Sequence, residues 1–114
     1  MEFTQHALHQ QVETRVQDAI LKVFPEAPRS TIRLHICANP SFGDYQCNAI
    51  MALAKKQGLN PRACGAEVLK ILDLEPLAEA PDLAGPGFIN VRLKLEALER
   101  AATEAVAVGH SFLS

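Results

Sequence analysis

The residues whose types and spacing could do chemistry follow a glycine-rich turn, Gly85-Pro86-Gly87. Directly after the turn, an aromatic ring, an amide and a guanidinium occupy every second position: Phe88, Asn90 and Arg92. An aromatic ring can stack on a base, an amide can read a base edge, and a cation can meet a phosphate. The pattern therefore fits recognition of an unpaired nucleotide, and we expect Gly85 and Gly87 to let another molecule approach the backbone closely.

The same residues also fit an ordinary amphipathic hairpin strand. Side chains of a strand alternate between two faces, so Ile89, Val91 and Leu93 lie together and are predicted to be core. The opposite face is then expected to point to solvent, and one exposed aromatic residue on such a face is normal. Taken alone, this segment leaves both interpretations open.

Composition limits the class of protein. The chain has 114 residues, which predicts one domain over 1–114 and excludes a large enzyme with separate catalytic and substrate domains. A formal net charge of −2 and a pI near 6.0 argue against a dominant basic surface, so any nucleic-acid affinity must be local and modest. Because no membrane-spanning run or secretory signal is visible, we expect a cytoplasmic protein with no membrane partner.

The sequence offers no recognisable spacing for catalysis or for a cofactor. Cys37, Cys47 and Cys64 are far apart and are predicted to pack as small apolar residues. The four histidines do not combine with carboxylates in a metal-ligand pattern. No nucleophile, base and orienting group can be assembled, and no phosphate-binding loop is present. We therefore predict no catalytic residue, no metal and no cofactor.

Hydrophobic periodicity predicts the elements that position the turn and its strand. Residues 4–24 have helical spacing, and residues 32–36 alternate as a half-buried strand with the cation Arg33 on its polar face. Residues 77–84, interrupted by proline, suit an edge strand, and residues 94–106 suit a last amphipathic helix. The inward face of that last helix is predicted to carry Leu95, Leu98, Ala102 and Val106.

The middle of the chain predicts a helical hairpin. Asp44 is placed to cap a helix over residues 45–57, which Gly58 ends. Asn60 and the proline after it then open a second helix to about residue 72, in which Gly65 indicates a close packing contact. Because strands and helices do not alternate strictly, we predict an α+β fold, a small and mostly antiparallel sheet with helices packed on one face.

Two segments together resemble the N-terminal additional domain of arginyl-tRNA synthetase. The first is Asn39-Pro40-Ser41-Phe42-Gly43-Asp44-Tyr45-Gln46-Cys47-Asn48, continued by Ala54-Lys55-Lys56 and Asn60-Pro61-Arg62. The second is Ala84-Gly85-Pro86-Gly87-Phe88-Ile89-Asn90-Val91, in the order and at the distance that the family shows. Either motif alone is a weak signal, but both motifs with the intervening helix pair make the resemblance fairly specific over nearly the whole chain.

The resemblance implies an appendage that contacts the D-loop at the tRNA elbow and supports arginyl-tRNA aminoacylation without catalysing it alone. In the family, an aromatic and an amide contact an unpaired D-loop nucleotide, and these positions match Phe88 and Asn90. The tRNA-binding set is expected to be Phe88, Asn90, Arg92, Gly85 and Gly87, with secondary contacts at Arg33, Tyr45, Lys55 and Lys56. The motif around Gly43 is carried over mainly as structure, with Phe42 and Tyr45 serving packing or a secondary RNA contact. For Lys55 and Lys56 a favourable helix-dipole interaction is the first interpretation and phosphate contact the second.

The resemblance leaves the relation to a full synthetase open. Family members continue into a catalytic domain with His-Ile-Gly-His-like and Lys-Met-Ser-Lys-like signatures and then into a helical anticodon-binding domain, whereas this sequence stops at Ser114. The chain is thus expected to be an excised domain or a free-standing relative, with a synthetase catalytic domain as its partner in cis or in trans. A second hypothesis is a protein-interaction module that docks on a synthetase or another tRNA enzyme through the same face.

Overall fold

The computed structural model describes residues 2–37 and 40–99. Its helices are α1 (Glu2–Val23), α2 (Ala49–Lys56) and α3 (Pro61–Ile71), and residues 95–99 are also helical. Its strands are β1 (His35–Ile36), β2 (Tyr45–Cys47), β3 (Asp82–Ala84) and β4 (Phe88–Val91). Short 3₁₀ turns lie at Arg29–Thr31 and Pro40–Phe42. In the described part of the chain, no helix has the length and apolar character needed to cross a membrane.

The four strands form one sheet in the order β1-β2-β4-β3, and every neighbouring pair is antiparallel. In the centre of the sheet, Tyr45 lies opposite Val91 and Cys47 lies opposite Ile89. These four side chains are buried and face the helices. The predicted α+β fold, with an antiparallel sheet and helices on one face, is confirmed.

The core fills the space between the helices and the inner face of the sheet. It includes Leu8, Val12, Val16 and Ile20 from α1, Ile50 and Ala54 from α2, Cys64 and Val68 from α3, and the inward residues of β2 and β4. The predicted burial of Ile89, Val91 and Leu93 is confirmed. The three cysteines are also buried and free of disulfides, as their predicted packing role requires.

The predicted helical hairpin forms, and its second helix lies where the sequence predicts it. The Asn60 side-chain oxygen accepts hydrogen bonds from the backbone N–H groups of Arg62, at 2.9 Å, and Ala63, at 3.2 Å. These bonds satisfy two donors at the start of α3 that have no partner within the helix. Gly65 lies against β3, because a Cβ added there would come within 2.6 Å of a Leu83 methyl group. The close contact predicted at Gly65 is therefore confirmed.

The prediction that Asp44 caps a helix beginning at residue 45 is wrong. Residues 45–47 form β2, and α2 begins only at Ala49. The Asp44 backbone N–H donates to the Val91 carbonyl at 2.8 Å, and its carboxylate accepts from the Leu93 N–H at 2.8 Å. Asp44 thus fastens β2 to the strand beside it, since pairing within the sheet outweighs a local capping signal.

The strand predicted at residues 32–36 is shorter than expected, and Ile36 is 81% exposed rather than buried. The backbone just before β1 is held by hydrogen bonds to side chains of α1. Glu13 accepts from the Leu34 N–H at 2.8 Å, and His9 Nε2 donates to the Leu34 carbonyl at 2.7 Å. Gln17 donates to the Ile32 carbonyl at 2.9 Å. This side-chain clamp leaves only the last two residues to pair with β2, at the edge of the sheet.

The last predicted helix begins as expected, and Leu98 packs inward as predicted, but Leu95 does not. Ala97 is buried and Leu98 packs against the core, whereas Leu95 is 70% exposed. The prediction that Leu95 points inward is therefore wrong, because the chain enters the helix with residues 97 and 98 turned toward the core. Ala102 and Val106 lie outside the described residues.

Candidate functional site

The outer face of the sheet, turned away from the helices, carries a row of polar side chains. Cross-strand pairing places His35 opposite Gln46, Gln46 opposite Asn90, and Asn90 opposite Asp82. We call these four residues the polar row. His35 and Asp82, on the two edge strands, are exposed, and Gln46 is half-buried. Paired residues share a face, so the row runs across the whole sheet.

Asn90 lies at the centre of the polar row and is only 4% exposed. The expectation that it points freely to solvent is wrong, because neighbouring strands flank it on both sides. Its side-chain oxygen accepts a hydrogen bond from Gln46 Nε2 at 2.9 Å. A buried amide needs such a partner, since an unsatisfied polar group in that position costs about 1–3 kcal/mol.

A cleft of about 240 Å³ opens beside Asn90. It is lined by Ser41, Phe42, Glu79, Ala80, Asp82, Asn90 and Arg92. Arg92 Nη2 donates to the Ser41 carbonyl at 3.1 Å and so ties the 3₁₀ turn to β4. The next residue in that turn, Phe42, is 59% exposed. The cleft therefore combines an open aromatic ring, an amide, a guanidinium and two carboxylates.

The glycine turn before β4 serves contacts within the chain. Gly85 and Gly87 have φ angles of +52° and +105°, which residues with a Cβ rarely adopt. A Cβ on Gly87 would come within 3.1 Å of Pro61, and Arg62 Nη1 donates to the Gly85 carbonyl at 2.8 Å. Gly87 thus allows a close approach to the start of α3, and Gly85 allows one to the Phe88 ring.

Phe88 is half-buried, with its ring close to Gly85. It shares the outer face with Asn90, as alternation predicts, but it is not among the residues lining the cleft. The ring packs beside the turn, and only part of its surface is exposed to solvent. The aromatic ring that lines the cleft together with Asn90 belongs to Phe42, which is more exposed than Phe88.

The structure does not bring the predicted secondary contacts to this cleft. Tyr45 is buried on the inner face, where its ring stacks on His9 with centroids 4.8 Å apart. Burial, and then the charge of Asp44, raise the pKa of the Tyr45 phenol. Arg33 is exposed and donates to Glu13 at 3.3 Å, while Lys55 and Lys56 are exposed in the last turn of α2.

Gln46 is the residue that sequence reasoning missed. Reading residues 45–57 as one helix hid the alternation in β2, which turns Tyr45 and Cys47 inward and Gln46 outward. Three residues are too few for a clear periodic signal. Gly43 and Asp44, which are typical of a turn followed by a helix cap, gave a stronger local signal for a helix.

A cavity of about 380 Å³ lies between α1 and the end of α3. It is lined by Arg15, Asp18, Ala19, Lys22, Ile71, Asp73 and Glu75. Arg15 donates there to the Glu75 carbonyl at 2.6 Å, so its guanidinium is used to join two elements. Within residues 2–37 and 40–99, no three His, Cys, Asp or Glu side chains are grouped as metal ligands.

A small α+β domain with one antiparallel sheet, helices on its inner face and a polar cleft on its outer face defines the structural class. The chain belongs to the arginyl-tRNA synthetase N-terminal domain family, whose sequence pattern matches residues 10–93. The family predicted from the two motifs is therefore confirmed.

Relatives and solved structures agree with this assignment. The arginine-tRNA ligase of Chromobacterium violaceum is 39% identical over 99 residues, which are 87% of this chain and 17% of the relative. The ligase of Vibrio campbellii is 50% identical over 70 residues, 61% of this chain and 12% of the relative. The arginyl-tRNA synthetase of Thermus thermophilus superposes with a TM-score of 0.67 at 29% identity, covering 82% of this chain and 15% of that one. The Plasmodium falciparum enzyme also has a TM-score of 0.67, at 26% identity over 81% of this chain and 17% of its own. The chain thus spans less than a fifth of the length of each of these four proteins.

Proposed function

We propose that this chain binds tRNA through the outer face of its sheet, as the tRNA-elbow module of an arginyl-tRNA synthetase, without catalytic activity of its own. Family membership supports the partner, tRNA-Arg, and the role in arginyl-tRNA aminoacylation. The observation that carries the proposal is the cleft in which Phe42, Asn90 and Arg92 converge. These residue types are the ones that recognition of an unpaired nucleotide requires.

In the proposed complex, one unpaired D-loop base enters the cleft. The open face of Phe42 stacks on the base, and the Asn90 amide reads its edge. Arg92, at the rim, meets a neighbouring phosphate. Base stacking on an aromatic side chain contributes about 1–3 kcal/mol, so Phe42 supplies the largest single part of the binding free energy.

The other expected contacts take lesser places in the proposal. Phe88, Gly85 and Gly87 shape the turn that holds β4, and the exposed part of the Phe88 ring touches the same D-loop. Arg33, Lys55 and Lys56 add phosphate contacts outside the cleft. Tyr45 makes no contact with tRNA because its side chain is buried on the inner face.

One observation favours the alternative of a protein-docking module. Ile36 is 81% exposed on β1, the strand at one edge of the sheet. Within the described residues β1 pairs only with β2, and an apolar side chain on such an edge suits the addition of a strand from another protein, such as a synthetase catalytic domain in cis or in trans. This edge and the cleft are separate surfaces, so the two functions can be tested with different substitutions.

The test is a titration of the chain with tRNA-Arg, following binding by fluorescence anisotropy. We expect Phe42→Ala to weaken binding by about 1–3 kcal/mol, because the stacking surface is removed. Ile36→Ala is the matched control, since it also removes an exposed apolar side chain but lies outside the cleft, and it should leave tRNA affinity unchanged. Loss of affinity in Ile36→Ala with none in Phe42→Ala would overturn the proposal in favour of the edge strand.

A further inference from the structure

We infer that an apolar slot between the end of α3 and residues 78–81 docks a basic segment of another protein. An aliphatic side chain of that segment enters the slot, and its lysine or arginine side chains pair with the carboxylates at the rim. We call this surface the acidic slot. It shares Glu79 and Ala80 with the cleft proposed for tRNA, but the inference does not rest on the proposed function, because no step of it involves RNA.

The walls of the acidic slot are apolar, and its floor belongs to the core. The slot has a volume of about 230 Å³. Its apolar lining consists of Leu69, Leu72, Leu74, Ala78, Ala80 and Pro81. Leu72, Leu74 and Ala78 are buried members of the hydrophobic core. Because a cavity of about 150 Å³ can hold a benzene molecule, the slot has room for one leucine-sized side chain.

Backbone hydrogen bonds hold one wall of the slot in place. The Ala78 N–H donates to the Leu74 carbonyl at 3.0 Å, which closes a turn after α3. The next N–H, that of Glu79, donates to the Arg92 carbonyl at 2.9 Å and so ties the wall to the chain that follows β4. A slot formed in this way before binding lowers the cost of ordering that a ligand must overcome.

The rim of the slot is negatively charged. Asp73, Glu75 and Glu79 line it, and Lys94 Nζ donates to the Glu75 carboxylate. The hydrogen bond to Glu75, and then the charges of Glu96 and Glu79, raise the pKa of the Lys94 ammonium. One lysine therefore faces three glutamates. Within residues 2–37 and 40–99, neither Asp73 nor Glu79 forms an ion pair.

Arg15 also reaches this region but does not neutralise the rim. Its guanidinium donates to the backbone carbonyls of Asp73, at 3.3 Å, and Glu75, at 2.6 Å. It lines the neighbouring cavity between α1 and α3 and is not among the residues that line the slot. The carboxylates of Asp73 and Glu79 are thus left for a cationic ligand.

Charge and apolar surface together determine the kind of occupant. Carboxylates repel the phosphates of a nucleic acid, and apolar walls offer no contact to a small free cation. A protein segment that carries an aliphatic side chain between basic ones matches both features. Two exposed apolar side chains beside the rim, Ile71 at 45% and Leu95 at 70% exposure, extend the surface for the rest of such a segment.

The experiment titrates the ¹⁵N-labelled chain with synthetic peptides in the absence of RNA. The first peptide has one leucine between two pairs of lysines, the second has serine in place of the leucine, and the third has glutamates in place of the lysines. We expect saturable shifts of the Leu69, Ala78 and Ala80 amides with the leucine peptide. The serine peptide should bind about tenfold more weakly, because no aliphatic side chain is buried, and the glutamate peptide should cause no shift.

Two pairs of variants locate the binding site. Glu79→Lys should weaken binding of the leucine peptide about fivefold, whereas Glu26→Lys, the same change in the exposed loop after α1, should not. Ala80→Leu places an aliphatic side chain at the mouth of the slot and should abolish the peptide shifts. Ala66→Leu, its control on α3, should leave them unchanged. All four positions are exposed, and the spectra of the free variants check that each one folds.

The remaining outcomes overturn the inference. Equal binding of the leucine and serine peptides would mean that charge alone acts, and no saturable shift would mean that the slot is not a docking site. Wild-type affinity in both Glu79→Lys and Ala80→Leu would place the peptide elsewhere. The same amide shifts on concentrating the chain alone would assign the slot to a second copy. Shifts of Leu69 and Ala78 with tRNA-Arg alone would assign it to RNA.

Discussion

Asn90 combines the burial of a core residue with a polar side chain, and this combination sets it apart from the rest of its strand. Ile89 and Val91, on either side of it, contact the helices, while Asn90 faces the cleft and is held by Gln46. A polar residue that is buried and hydrogen-bonded in this way has less conformational freedom than an exposed one.

The alternation along β4 can be tested by the stability of two variants. Ile89→Ala should destabilise the fold by about 2–5 kcal/mol, because it leaves a cavity in the core. Phe88→Ala should cost less, because the ring is only half-buried and packs beside the glycine turn. Urea denaturation of both variants measures these differences. A larger loss in Phe88→Ala than in Ile89→Ala would mean that the inner and outer faces have been exchanged.

At the scale of elements, long periodic segments and capped helices could be predicted, and short paired segments could not. The first helix and the α2–α3 hairpin follow from hydrophobic spacing and from Asn60, whose cap needs only neighbouring residues. The strand β2 has three residues, and what makes it a strand is pairing with β1 and β4, far away in sequence. The clamp of His9 and Glu13 on Leu34 is also a long-range contact without a local signal.

The same distinction explains how much of the site was predictable. Alternation correctly placed Asn90 and Arg92 on the outer face, because that face is a property of one strand. It could not show that Gln46 would satisfy the Asn90 oxygen or that Arg92 would draw the turn carrying Phe42 to the cleft. Both contacts depend on the order of the strands in the sheet, and that order cannot be read from local sequence patterns.

The two asparagines that precede helices provide a matched test of capping. Asn60→Ala should destabilise the protein by about 0.5–2 kcal/mol, because its side chain accepts two backbone hydrogen bonds at the start of α3. Asn48 is also exposed and precedes α2, but its side chain makes no capping bond, so Asn48→Ala should change stability by less than about 0.5 kcal/mol. Thermal unfolding of the two variants gives the comparison. Equal losses would contradict this account of the hairpin.

For the whole molecule, the small net charge sets the character of binding. A formal charge of −2 argues against a broad basic surface, so in the proposed complex we expect specific contacts at one cleft to supply most of the discrimination. Such a module is suited to adding contacts to a larger tRNA-binding protein. This agrees with a chain that matches 12% and 17% of two arginine-tRNA ligases.

The dependence of tRNA affinity on salt concentration tests this view. A few phosphate contacts should give a shallow log–log slope, since each contributes about 0.7–0.9. Arg92→Ala should flatten the slope by about one contact, because the guanidinium lies at the rim of the cleft. Lys70→Ala removes the same charge from α3, where Lys70 pairs with Glu67, and should leave the slope unchanged. A slope typical of about ten contacts would reveal a basic surface that this account lacks.

The central claim is that the outer face of the sheet binds tRNA, and an NMR titration of the ¹⁵N-labelled chain with tRNA-Arg tests it most directly. We expect the backbone and side-chain amide signals of Phe42, Gln46, Asn90 and Arg92 to shift or broaden together. The amides of Asp18 and Lys22, which line the larger cavity beside α1, should stay in place. Signals that move at α1 while those of the cleft remain unchanged would contradict the account.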